Sequence, residues 1–172
     1  MQFVSGDIIA SDLIHMVPNA DAVDFAVLTS AMHMAWMRTV CGRLKNDYRY
    51  SRDLCYNTFP WPSVTAAQRG RLNELGRNIL RTRENVRFTP EGGSLTLADL
   101  YNSETMPEEL RRAHAGLDAY VDSLYTSRTL SCDEDRLPIL FKKYAELIAA
   151  KEAGQKKKPS GRSRKSAGQR GE

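Results

Sequence analysis

Arg43, Lys45, Asp47 and Arg49 recur at every second position of the run Gly42-Arg43-Leu44-Lys45-Asn46-Asp47-Tyr48-Arg49-Tyr50. In an extended strand a period of two sends alternate side chains to one face, so this spacing predicts four charged groups in a row. Such a row suits the major groove of double-stranded DNA, where every base pair presents its own pattern of donors and acceptors. Lys45 would donate to the acceptors of a guanine, and Asp47 would accept from the amine of the paired cytosine. Arg49 would take a second guanine or a phosphate. Lys45 and Asp47 together would read both members of one G·C pair, each good contact contributing about 1–3 kcal/mol of discrimination. The plainer reading of the same residues is a charged edge strand kept soluble by its alternation, and spacing alone does not separate the two.

Other chemistry is sparse. Cys41, Cys55 and Cys132 lie far apart with no CxxC pair, and His15, His33 and His114 are scattered, whereas a zinc site needs clustered ligands. The thiols read as reduced, as in a cytosolic protein. Gly92-Gly93 sits in a turn and makes no phosphate loop, no GxSxG elbow occurs, and Asp133-Glu134-Asp135 reads as a helix start. Asn57-Thr58-Phe59-Pro60-Trp61-Pro62 holds the ingredients of the Asp/Asn-Pro-Pro-aromatic motif with which amino-methyltransferases grip a flipped base. Its prolines adjoin neither each other nor the asparagine, so the match fails and no catalytic residue is expected.

The elements that would carry the charged row are mainly helical. Residues 2–17 hold short apolar clusters broken by Gly6-Asp7 and Ser11-Asp12, a pattern of two or three short strands. These are too few to bury a face alone and look like the end of a domain whose earlier strands lie elsewhere. Apolar residues at 25, 28, 32, 36 and 40 predict one helix over 23–41, with Asp21 near its start and Gly42 ending it. Thr65 with Gln68 is a capping-box pattern for a helix reaching about Val86, whose arginines form a solvated face or a phosphate-facing one. Leu95–Tyr101 reads as a helical turn. A helix with Pro107 in its first position runs to about Tyr125, with His114 at its edge. Ser131 with Glu134 would cap the last helix, and Pro138 requires a start near Leu137 or a kink.

The bulk composition, 172 residues of which 41% are hydrophobic, suits a soluble globular protein, with length for one domain or for a small domain plus a fragment of another. The formal charge of +4 is uneven. From Lys151 to Glu172 there are eight Lys/Arg and two Glu, so the tail carries +6 and the body −2. This tail lacks the apolar residues to offset its ordering entropy and is expected to be disordered. No secretory leader or membrane span is expected, and the expected location is cytoplasmic.

Met32-His33-Met34-Ala35-Trp36, Gly42-Arg43-Leu44, Tyr48-Arg49-Tyr50-Ser51 and Tyr56-Asn57-Thr58-Phe59-Pro60-Trp61-Pro62 together resemble the C-terminal region of MmeI-like (type IIL) DNA adenine methyltransferases, which are large restriction–modification proteins. Leu97-Ala98-Asp99-Leu100-Tyr101, Met106-Pro107-Glu108-Glu109-Leu110 and Ala113-His114-Ala115-Gly116-Leu117-Asp118 resemble that family's closing helical domain, and the likeness extends over residues 2–148. Pro138 and the basic tail depart from it. The resemblance implies the end of a target-recognition domain over 1–62, a C-terminal helical domain of three to four helices over 63–150, and a basic tail over 151–172. It also implies that Arg43, Lys45, Asp47 and Arg49 lie where the family reads bases. Trp36, Phe59 and Trp61 would hold that segment against the helices, and Asn57 would bond the loop. S-adenosylmethionine is expected in a full-length family member, but its glycine-rich loop and catalytic motif have no counterpart here, so the chain is expected to bind double-stranded DNA without methylating it alone. The rival expectation is a helical module that docks on a separate methyltransferase or nuclease chain.

Overall fold

The computed structural model describes residues 1–9, 11, 14–45, 47–88 and 93–156. Helices dominate: α1 (Ala22–Thr29), α2 (Ala31–Val40), α3 (Ala66–Val86), α4 (Leu97–Leu100), α5 (Glu108–Ser123) and α6 (Asp133–Lys156). An antiparallel hairpin of β1 (Gly42–Leu44) and β2 (Asp47–Arg49) follows α2, and a π-helical turn spans Arg52–Tyr56. Among the described residues no helix is long and apolar enough to cross a membrane.

α1 sits at the centre. Asp21 caps it, accepting from the amides of Val23 (2.8 Å) and Asp24 (3.1 Å), while Asp24 reaches back to the Asp21 amide (3.0 Å). Asp21 also pairs with Arg69 on α3. Ala22, Val23, Phe25, Ala26, Val27 and Leu28 are all buried. α3 can lie this close because position 76 is glycine: a Cβ there would stand 2.3 Å from the Ala22 carbonyl oxygen. α5 also packs on α3, and α6 packs on α2. Trp36, Met32, Leu72, Ile79, Leu100, Leu110, Leu117 and Leu140 fill the shared core.

Polar ties fix the mutual positions of the helices. Arg136 on α6 grips Asp122 on α5 through two hydrogen bonds (3.1 and 2.7 Å), with both side chains buried. Arg38 on α2 grips Asp133 at the start of α6 in the same two-pronged way (2.6 and 2.8 Å), and that guanidinium holds the Asp133 carboxyl below the usual carboxylate range. Asp118 on α5 accepts from the Ala31 amide (2.7 Å) and so completes the N-terminus of α2 from 87 residues away.

Several sequence expectations change. Residues 2–17 contain no strand among the described positions. The helix expected over 23–41 is two helices, because Ser30 takes an extended conformation and its hydroxyl donates to the Val27 carbonyl (2.7 Å), diverting the backbone from the helical ladder. Cys41, also extended, ends α2; Gly42 already belongs to β1. The Thr65–Gln68 capping box forms, and α3 reaches Val86. Pro107 precedes α5 as its cap and the helix stops at Ser123. α6 starts at Asp133 and runs through Pro138. Asp135, rather than the expected Ser131–Glu134 pair, takes the amides of Ser131 (2.9 Å) and Cys132 (3.4 Å). The expected disordered tail begins too early at 151, since α6 continues to Lys156; the rest of that expectation lies outside the described residues.

The contact at Gly76 gives a direct test. Gly76→Ala must push α1 off α3 and is expected to destabilise by about 1–3 kcal/mol, read as a lower denaturant midpoint. Gly70→Ala on the same helix meets open space and is expected to stabilise by up to about 1 kcal/mol through helix propensity. Equal effects at the two sites would show that the close approach has no energetic weight.

Candidate nucleic-acid interface

A pair of three-residue strands has no core of its own and is at best marginal in water. Every described residue of this hairpin is exposed, so its shape must come from its two ends. Cys41, before β1, is buried. Tyr50, after β2, is half-buried, and its hydroxyl shares a hydrogen bond with His33 Nε2 on α2 (3.1 Å). His15 Nε2 lies 3.1 Å from the Tyr50 carbonyl oxygen and pins the same residue from the other side.

His33 is the anchor. It is 0% exposed, its ring meets Phe59 edge-on (4.7 Å between centroids) and tilts against Tyr50 (5.9 Å), and Cys55 Sγ stands 3.9 Å from Nε2. Nδ1 is the one buried side-chain polar atom among the described residues without a partner. An imidazolium with no anion beside it is costly to bury, and burial pushes the His33 pKa down to about 4. Burial raises the Cys55 thiol to about 12, keeping it protonated and inert, and raises the Tyr50 hydroxyl as well. Below this anchor Trp36 Nε1 donates to Thr58 Oγ1 (3.1 Å), which in turn donates to the Leu54 carbonyl (2.7 Å). Phe59 is buried against Trp61 (5.7 Å between rings), Trp61 meets Tyr56, and Tyr125, just after α5, donates to the Pro60 carbonyl (2.9 Å). The π-helical turn and the Phe59–Pro62 segment are thereby fixed to the helices. Asn57 stays exposed and donates to Asp53 Oδ1 (3.1 Å).

The four charged residues do not form the single row expected of one strand. The chain reverses at Lys45, whose φ of 57° places it in the left-handed region that a two-residue hairpin loop demands. The pairs Gly42↔Arg49, Arg43↔Tyr48 and Leu44↔Asp47 share faces in register. Asp47 and Arg49 therefore lie on one face, Arg43 on the other and Lys45 at the tip. Arg43 stacks over the Tyr48 ring (4.5 Å to its centroid) and donates to its hydroxyl (2.9 Å). Lys45 and Arg49 have no ion-pair partner among the described residues. The sequence reading missed the reversal, which no residue between Leu44 and Asp47 announces with a glycine. It also passed over Arg52, Asp53 and His15, which line a cleft of about 460 Å³ with Arg49 and Tyr50 beside the hairpin.

A second histidine network lies apart from the hairpin. Arg83 on α3 donates to the Tyr101 hydroxyl (2.6 Å), which is 2.7 Å from His114 Nε2. Burial, with the Arg83 charge second, lowers the His114 pKa to about 4. Among the described residues no group of three or more His, Cys, Asp or Glu is placed to hold a metal ion.

Comparison with known proteins brings likenesses of three kinds. The family profile "MmeI, target recognition domain" matches residues 1–63, and "MmeI, C-terminal domain" matches residues 64–151. DNA methyltransferase A of Bacillus subtilis (strain 168) is 43% identical over 147 residues, 86% of this chain and 16% of that protein. The solved structure of the Type IIL restriction–modification enzyme MmeI in complex with DNA superposes with a TM-score of 0.70 at 40% identity, over 77% of this chain and 17% of that one. The chain thus spans about one sixth of each relative.

Burial of His33 and partial burial of His114, which favour the neutral rings, set an acid limit on stability. Both fold with pKa values of about 4, below the ordinary 6.5 of the unfolded chain, so the unfolded state gains protons first. Their contribution is complete above about pH 6.5 and is lost as pH falls towards 4. The denaturant midpoint is expected to stay level above that window and fall within it, and His114→Gln to flatten part of the slope; a midpoint unchanged from pH 7 to 4.5 would refute buried neutral histidines.

Proposed function

The chain belongs to the MmeI family, carrying its target recognition and C-terminal domains, and from that premise we infer that it is the DNA-reading part of a restriction–modification methyltransferase. The observation that carries this reading is the exposed, externally anchored hairpin in the recognition-domain half, with two cations, Lys45 and Arg49, that have no ion-pair partner among the described residues, and one acceptor, Asp47. A two-stranded ribbon fits the major groove, about 12 Å wide. The tip residue Lys45 donates to a guanine O6 or N7, and Asp47 beside it accepts from a cytosine amine. Arg49, further back on the Asp47 face, takes a phosphate or a second guanine. Arg43, stacked on Tyr48, stiffens the opposite face. Trp36, Phe59 and Trp61 hold the platform, and Asn57 steadies the adjoining turn.

Methyl transfer and its S-adenosylmethionine belong, on this reading, to the part of a full-length family member that the chain does not match. That part lies in the same polypeptide or in a separate chain. A second reading has an observation in its favour: Phe3, Val4, Ile8, Ile9 (97% exposed), Ile14 and Met16 leave an apolar surface near the start of the chain, of the kind that marks a docking site. On that reading the chain binds a separate methyltransferase chain and does not itself touch bases.

Selection from a random-sequence duplex library at low salt separates them. The DNA reading expects an enriched motif containing a G·C pair, with discrimination at that pair reduced roughly tenfold in the Lys45→Ala/Asp47→Ala double variant. Retention of the chain by a co-expressed methyltransferase, with no motif enriched, would favour docking and sink the DNA reading.

A further inference from the structure

Arg52 and Asp53 form an ion pair at 3.0 Å, yet their side chains are 71% and 70% exposed. A pair so exposed adds little to stability, so the fold does not need it. Its geometry is nonetheless specific. Asp53 Oδ1 accepts from Arg52 Nε (3.0 Å) and also from Asn57 Nδ2 (3.1 Å), so the carboxylate is held from two sides on one turn of backbone. That turn is itself fixed: the Ser51 hydroxyl caps it by accepting from the Leu54 amide (3.1 Å), and Cys55 anchors it beside His33 in the core. With Nε engaged, neither terminal nitrogen of Arg52 has a hydrogen-bond partner among the described residues, and both can donate. The residues line the cleft that also includes Arg49, Tyr50 and His15, so they stand beside the base of the hairpin and not on a remote surface.

A forked guanidinium with two free donors matches two targets, the N7 and O6 acceptors of a guanine or two phosphate oxygens. The Asp53 carboxylate decides between them. Beside a phosphate it would face a like charge, which is unfavourable, and the Arg52–Asp53 pair has no net charge to release counterions. Beside a base pair it is an asset, because its second oxygen can accept from a cytosine amine.

Resting on the reading of this chain as a DNA reader, we propose that Arg52 reads a guanine in the major groove, buttressed by Asp53 and Asn57, as a second specificity element next to the hairpin. The base pair it reads is a different one from that contacted by Lys45 and Asp47, since the turn stands at the base of the hairpin and Lys45 at its tip.

The test uses the full chain, the same duplex library, and the variants Arg52→Ala and Asp53→Asn beside Lys45→Ala/Asp47→Ala. Circular dichroism of each variant should match the parent, since both side chains are solvent-facing. The expected result for Arg52→Ala is loss of one G·C column from the enriched motif, about tenfold in discrimination, with the salt dependence of binding unchanged. Asp53→Asn should weaken the same column. A motif that keeps every column while the slope of log affinity against log salt falls by about one would mean a phosphate contact and overturn the proposal. So would a motif and slope both unaltered, while the Lys45/Asp47 columns respond and the DNA reading stands. If the parent enriches no motif, both readings fall together.

Discussion

The hydrogen bond between Tyr50 and His33 joins the most exposed element of the chain to one of its most deeply buried side chains. Six strand residues with solvent on both faces cannot hold a defined shape by themselves. The hairpin keeps its position because Cys41 and Tyr50, the residues on either side of it, are drawn into the helical core. The same histidine touches Phe59 and Cys55, so the Arg52–Tyr56 turn and the Phe59–Pro62 segment share the anchor. Loss of His33 would remove a contact that all three share, while the Trp36–Thr58 and Tyr125–Pro60 hydrogen bonds still hold the turn and the extended segment.

The anchor is stable only because α2 itself is fixed. Ser30 separates α2 from α1, and a helix of ten residues is marginal alone. Asp118 supplies its missing N-terminal partner, Arg38 ties its other end to Asp133, and Trp36 packs against Phe141 and Tyr144 of α6. The buried Arg136–Asp122 pair then locks α6 to α5. Removing one partner of such a pair typically costs about 3–5 kcal/mol, because the remaining charge is left buried. The helical half is therefore a rigid mount, and the polar ties set its geometry more sharply than apolar contact alone would.

This division of labour suits a reader of DNA. Groups that would touch bases need freedom from competing partners, and among the described residues Lys45 and Arg49 have no ion-pair partner. They also need a backbone that does not drift, because hydrogen-bond readout is lost over fractions of an ångström. Placing the charged groups on a short exposed ribbon lets their identity change without disturbing the core, whereas Trp36, His33 and Phe59 have no such latitude.

Much of this was legible in the order of residues. The Thr65–Gln68 capping box, the apolar stripe of α3 and the short turn near Leu97 depend on neighbours three or four positions apart, and local chemistry determines them. The family, too, could be read from contiguous motifs such as Tyr56–Pro62. The break at Ser30 and the reversal at Lys45 could not. Ser30 interrupts an unbroken apolar period, and the amide it exposes is satisfied by Asp118, a residue 87 positions away. Lys45 adopts a conformation that its own side chain disfavours, and the paired strands on either side impose it. The sequence determined which segments wind into helices and which groups carry charge. The tertiary structure decided which charges share a face, because that depends on where the chain reverses, and the reversal is held by burial of Cys41 and Tyr50 against residues outside the hairpin.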